Sequence, residues 1–199
     1  MRWWAGGCLL AVACAGAQPN GAEPQGPATA RDYYPVRDGN AWAHQVVDHR
    51  IEGQGPVLVT SRMTDVTAEQ FTIDSIRERV TYHLVPDGIF KPESRYHLLK
   101  DPIELGARWE IPIGGIVRIA EVGATVEVPA GKFDDCIVVI EILGDIHKVE
   151  WTYARDVGPV QMRVYDLREG EPQLVIEGKL QAYRTEPDDI PEESAVERP

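Results

Sequence analysis

From Asp32 to Arg184 the apolar residues recur mostly at every second position, the period of strands that bury one face and expose the other. "GIVRIAEV" alternates in this way. "HKVEWTYA" sets Val149, Trp151 and Tyr153 against Lys148, Glu150 and Thr152, and "PQLVIEGKLQAY" sets Leu174, Ile176, Gly178 and Leu180 against Gln173, Val175, Glu177 and Lys179. "CIVVIEIL" is almost continuously apolar and is expected in the middle of a sheet. Turn signals separate these runs at Pro86-Asp87-Gly88, Gly114-Gly115, Pro129-Ala130-Gly131, Gly144-Asp145, Gly158-Pro159 and Glu169-Gly170-Glu171-Pro172. About ten strands joined by such turns predict an all-β fold, a single curved antiparallel sheet of half-barrel or barrel-like form. In "TAEQFTIDSIRERV", Thr67 and Gln70 have the spacing of a helix capping box, so a helix is the alternative there. Phe71, Ile73 and Thr81 fit strands better.

One short stretch echoes another. Gly39-Asn40-Ala41-Trp42 is matched by Gly106-Ala107-Arg108-Trp109. In each, glycine permits a tight entry turn and tryptophan anchors the strand that follows. The expectation is two sheet halves that begin alike.

The ends read differently from this middle. Arg2 and the uncharged Trp3 to Ala13 have the form of a secretory signal peptide over residues 1–13. Ala11-Val12-Ala13-Cys14 resembles a bacterial lipobox, with its leucine one place early at Leu10, and this resemblance implies lipidation of Cys14. The competing exit is Ala15-Gly16-Ala17 before Gln18, an A-x-A site that would release a secreted or periplasmic soluble chain. Residues 14–31, rich in Gly, Pro and Ala, read as a flexible tether. Its sixteen residues from Ala15 to Ala30 would hold a domain about 20 to 24 Å from its anchor. A tether of that kind favours the lipidated form. With Ala15 rather than aspartate after the cysteine, the lipobox resemblance implies an outer-membrane address, the β domain facing the periplasm. The β domain is expected over 32–184 and an acidic solvated tail over 185–199.

Composition narrows the chemistry. The 199-residue chain carries a formal net charge of −12, which repels phosphate backbones, so nucleic acid is not an expected partner. Eighteen consecutive apolar residues occur nowhere, so no conventional membrane-spanning helix is encoded, and any membrane contact is expected through the N-terminal lipid. Cys136 sits among apolar neighbours and reads as a buried strand residue. With Cys14 carrying lipid, no disulfide framework is expected.

No catalytic, cofactor-binding or metal-binding set is legible. His44, His49, His83, His97 and His147 lack metal-ligand spacing and read as surface or turn residues. Asp134-Asp135 and Asp188-Asp189 offer oxygens to calcium, yet no alternating ladder of ligands accompanies them. Nucleophile elbows, phosphate loops and dinucleotide fingerprints are missing from the sequence.

Three segments carry a family resemblance: "YYPVRDGNAW" from Tyr33 to Trp42, Val128-Pro129-Ala130-Gly131-Lys132-Phe133, and Tyr153-Ala154 with Val157-Gly158-Pro159-Val160. In these the chain resembles uncharacterised bacterial envelope lipoproteins over most of Tyr33 to Tyr165. The resemblance implies a β-rich envelope domain, similar in curvature to lipoprotein carriers, and brings no functional residues with it. The functional expectation is a lipid-anchored envelope protein that binds or scaffolds another envelope protein and is not an enzyme. The alternative is a carrier of a hydrophobic ligand, and an envelope hydrolase ranks behind both.

Overall fold

The computed structural model describes residues 27–76, 78–112 and 114–185. They form a short helix α1 (Ala30–Tyr33) and twelve strands: β1 (Ala41–Asp48), β2 (Val57–Thr64), β3 (Gln70–Ser75), β4 (Arg79–Val85), β5 (Gly88–Lys91), β6 (Tyr96–Lys100), β7 (Arg108–Ile111), β8 (Gly115–Val128), β9 (Gly131–Leu143), β10 (His147–Ala154), β11 (Gly158–Asp166) and β12 (Gln173–Arg184). All pair antiparallel in one sheet of order β6-β5-β4-β3-β2-β1-β12-β11-β10-β9-β8-β7. The predicted class holds. The count exceeds the expected ten because short strands such as β5 and β7, of four residues each, are too brief for an alternating pattern to register.

The strand order resolves into two six-stranded meanders, β1 to β6 and β7 to β12, joined where β1 pairs with β12. The repeated Gly-x-x-Trp stretch opens each meander. Gly39 and Gly106 both have φ of +83°, which glycine adopts without the steric cost a β-carbon imposes. Each tryptophan then turns inward and its indole N–H donates to a carbonyl at 2.7 Å, Trp42 to Val157 and Trp109 to His97. At the seam where β6 meets β7, the Trp109 bond links the two edges in place of a ladder.

The segment from Thr67 is not a helix. Thr67 N–H donates to the Gln70 carbonyl at 2.8 Å, while its hydroxyl accepts from the N–H groups of Glu69 and Gln70. The side chain therefore holds a tight turn into β3, and the residues that fit helical spacing alternate across β3 and β4 instead. Phe71 pairs with Tyr82 and Ile73 with Val80, because cross-strand burial outweighs a local capping signal.

Between the meanders and the N-terminus lies the base of the barrel. The last residues of the expected tether belong to the domain: the Ala28 carbonyl accepts from Ile103 N–H, and Ala30 N–H donates to Asp101. The tip of the long β8–β9 hairpin folds over the same end, where Ala130 N–H donates to the Leu180 carbonyl and Phe133 meets Tyr183 edge-on. Among the described residues no helix is long and apolar enough to cross a membrane.

Candidate functional site

Register fixes which side chains share the inner face. Trp42, His44 and Val46 stand beside Ser61, Val59 and Val57 of β2, and His44 and Val46 beside Leu180 and Gly178 of β12. Met162 lies opposite both Gly178 and Trp151, and Val164 opposite both Ile176 and Val149. Trp151 and Val149 in turn stand beside Val139 and Glu141.

This interior has two unlike halves. Toward the base it is filled. Tyr34 packs on Trp42, Phe71 and Tyr153 with ring centroids 5.7 to 6.1 Å apart, and Phe71 stacks on Tyr82. All but Tyr82 are buried, so most of these aromatic residues are core. Below them Tyr33 closes the base, with Arg155 over its ring and Arg155 Nε donating to Asp135 at 2.6 Å.

Toward the opposite end the inner face opens. Val46, Val59, Val149, Trp151, Met162, Val164 and Ile176 are only half-buried. Gly178 lies in their midst: a β-carbon there would stand 3.6 Å from Val46 and 3.7 Å from the Met162 methyl. The missing side chain lowers the floor of an apolar trough along β1, β10, β11 and β12.

Glu141 belongs to the same inner face and is only 6% exposed. Tyr96 Oη donates to it at 3.3 Å. Burial pushes its carboxyl above the ordinary glutamate range, against the opposing pull of the Tyr96 hydrogen bond and the Lys91 charge. Burial likewise raises the Tyr82, Tyr96 and Tyr153 phenols, and the Glu141 charge adds to each shift. The sequence offered one signal for this group, a single acid inside the otherwise apolar "CIVVIEIL".

The histidines do not converge. His44, expected at the surface, is half-buried on the inner face with its ring Nε2 3.0 Å from the Pro159 carbonyl, and burial lowers its pKa. A bulge in the β1–β12 pairing after Ala43 shifts the register at this point. His97 meets Asp87 at 3.1 Å on the outside. Asp134 is held by Thr125, and Asp135 by Arg155 and Tyr33. Among the described residues no three His, Cys, Asp or Glu side chains gather as a metal set. Cys136 is buried and its thiol is pushed up to about 11 by that burial. Cys14 and the Asp188-Asp189 pair lie outside the described residues.

The fold and this interior define a twelve-stranded, antiparallel half-open barrel, sealed at the base and apolar at the mouth. No family model matches the chain, and no curated protein matches it. Two solved structures are similar. One is a candidate lipoprotein from Parabacteroides distasonis, at TM-score 0.44 and 11% identity over 80% of this chain and 100% of that one. The other is a candidate exported protein of YmcC-like fold from Bacteroides fragilis, at TM-score 0.43 and 11% identity over 75% of this chain and 97% of that one.

Proposed function

We infer that this chain is a lipid-anchored protein of the bacterial envelope, held through Cys14 in the outer membrane and facing the periplasm, and that it acts by binding rather than by catalysis. The lipobox-like Ala11-Val12-Ala13-Cys14 and the Gly- and Pro-rich stretch after it support the anchor. The observation that carries the binding role is the half-open interior: one half packed with aromatic rings, the other an apolar trough whose walls keep part of their surface in water. A wall built only to be a core would be covered, as the base is.

The intact mass of the protein from the membrane fraction of its own host tests the anchor. A chain beginning at diacylated Cys14 is expected, and one beginning at Gln18 overturns it.

A specific second reading follows from the same trough, that the bound partner is a hydrophobic ligand such as an acyl chain rather than another protein. Trp151 lies in the trough wall and reports on it. Titration with a fluorescent fatty acid is expected to show saturable binding that weakens several-fold in Gly178→Leu, where the added side chain fills the floor. Binding unaffected by that substitution counts against the carrier reading.

A further inference from the structure

We propose that Arg62 and Arg184 form a binding site for a phosphate oxyanion on the outer wall at the base of the barrel. The pairing register places these two residues on either side of Ala41, in one row across β2, β1 and β12. The next row is Thr60, Ala43 and Ala182, so the floor between the two arginines is made of alanines and their guanidinium groups rise above it. Gly39 shows how closely they converge. The point its β-carbon would occupy lies 3.8 Å from Arg62 Nη2 and 3.8 Å from Arg184 Nη2, a spacing that lets one small anion touch both. Arg184 is steered there by donating to the Gly39 carbonyl at 3.2 Å. A third guanidinium, Arg37, is held alongside by the Thr185 carbonyl at 3.5 Å.

The hollow at this position measures about 420 Å³, and Thr60, on the same outer face, adds a hydroxyl to its lining. It also contains one carboxylate, Asp74, which accepts from Thr64 at 3.0 Å and lies 3.5 Å from Arg79. Asp74 stands directly across from Arg62 in the β2–β3 ladder, and its polar partners are Thr64 and Arg79 rather than Arg62. Among the described residues Arg62 makes no ion pair and no side-chain hydrogen bond. An unpaired guanidinium beside a second one, on a chain of net charge −12, is an unusual concentration of positive charge. Its planar fork matches two oxygens of a phosphate.

The ligand chemistry is therefore a phosphate mono- or diester, supplied either by a phospholipid headgroup or by a free phosphate. Location favours the lipid. The row lies where β1 begins and β12 ends, at the end of the barrel that α1 closes and from which the anchored N-terminus departs. That membrane-facing orientation rests on the lipid-anchor reading; the anion site does not. The acidic remainder of the surface would be repelled by an anionic bilayer while this end is attracted, which orients the domain as well as binding it.

The test uses the full chain with Cys14→Ser, so that no acyl group contributes. Co-sedimentation with phosphatidylglycerol vesicles is expected to exceed that with phosphatidylcholine vesicles, to fall about five-fold for each of Arg62→Ala and Arg184→Ala, and to recover in part in Arg62→Lys. Unchanged thermal midpoints establish that the variants are folded. Chemical shift changes at the two arginines with millimolar inorganic phosphate, lost in the variants but without preference between vesicles, keep the site and assign it to free phosphate. Equal vesicle binding by the parent and the double variant, with no response to phosphate, overturns the proposal. Because the chain carries no lipid, none of these outcomes depends on whether Cys14 is acylated in the host.

Discussion

Gly158 shows how much one missing side chain holds together. It begins β11 at φ +102°, directly beneath the Trp42 indole: a β-carbon would lie 3.1 Å from Nε1 and 3.2 Å from Cζ2. The neighbouring Val157 carbonyl is the one that indole donates to. Gly158→Ala must therefore strain the backbone and push the ring off its acceptor. We expect a loss of about 2 to 4 kcal/mol in denaturant melts. Gly131→Ala serves as the control: its φ is +136° but no heavy atom lies within 4 Å of the added carbon, so only the backbone cost, about 1 to 2 kcal/mol, applies. Equal losses in both variants would show that the indole tolerates the methyl.

Glu141 sets a pH dependence of opposite sense to the usual surface acid. Its folded carboxyl binds a proton more tightly than the unfolded one. The stability it allows is complete below the unfolded glutamate value and is lost as pH rises toward the raised folded value. Glu141→Gln keeps an acceptor for the Tyr96 hydroxyl while removing the buried charge. The variant is expected to be more stable than the parent near neutral pH, with the difference vanishing below about pH 4. Thermal midpoints across that range check this, and a constant difference at every pH would show that burial of the charge is not the cause.

Among the elements, the N-terminal segment is held by the buried rings of Tyr33 and Tyr34 together with a few polar bonds. Thr29 N–H and its hydroxyl both donate to Asp32, turning the chain into α1. Arg155 then ties this segment to the body through Asp135 at 2.6 Å, the Tyr33 hydroxyl at 3.3 Å and Asp32 at 3.8 Å. Arg155 and its acidic partners are partly exposed, so the net contribution is about 1 kcal/mol. Its effect is local. In Arg155→Ala, hydrogen exchange is expected to quicken at Tyr34, Ile103 and Asp156, whose amides bond to Ala30, Ala28 and Asp32, while the Trp109 and Val117 pairing of β7 with β8 stays protected. Uniform quickening throughout would mean that the segment is not a separable plug.

The long β8 strand shows an element guarding itself. Beyond its pairing with β7 it runs on to Val128, paired through this stretch with β9. Its pairing with β9 breaks register three times between Ile119 and Val126. Glu121 and Glu127 punctuate the same run. Bulges and charges of this kind keep an edge from templating another chain. The outer faces of β10, β11 and β12 are braced differently, by Arg163, which links across the strands to Glu150 and Glu177 at 3.3 Å, while Lys148 and Lys179 pair with those acids along their own strands at 3.1 and 3.0 Å.

At the scale of the molecule, the two meanders make a barrel with unlike seams. The β1–β12 seam is a ladder from Ala41 to Asp48 with one bulge after Ala43, whereas β6 and β7 are linked by the Trp109 indole and by the connecting segment around Ile103. The base is filled by aromatic rings and covered by α1 and the β8–β9 tip. The mouth is left apolar and half-exposed.

Much of this was present in the sequence because it depends on neighbours along the chain. Strand period, turn positions and the two Gly-x-x-Trp entries are local, so Val149, Trp151 and Tyr153 fall on the expected face, and Gly39 and Gly106 adopt the same conformation. Thr67 misleads for the same reason, since one side chain can cap a helix or brace a turn and only the strand beside it decides. Cys14, too, is a matter of local sequence alone. What the tertiary structure decided are the contacts that register and closure create: Tyr33 beneath Arg155, Tyr96 against Glu141, and Arg62 level with Arg184 across Ala41. These pairs are separated by up to 122 residues, and a shift of one residue in any ladder between them would turn the side chains to opposite faces.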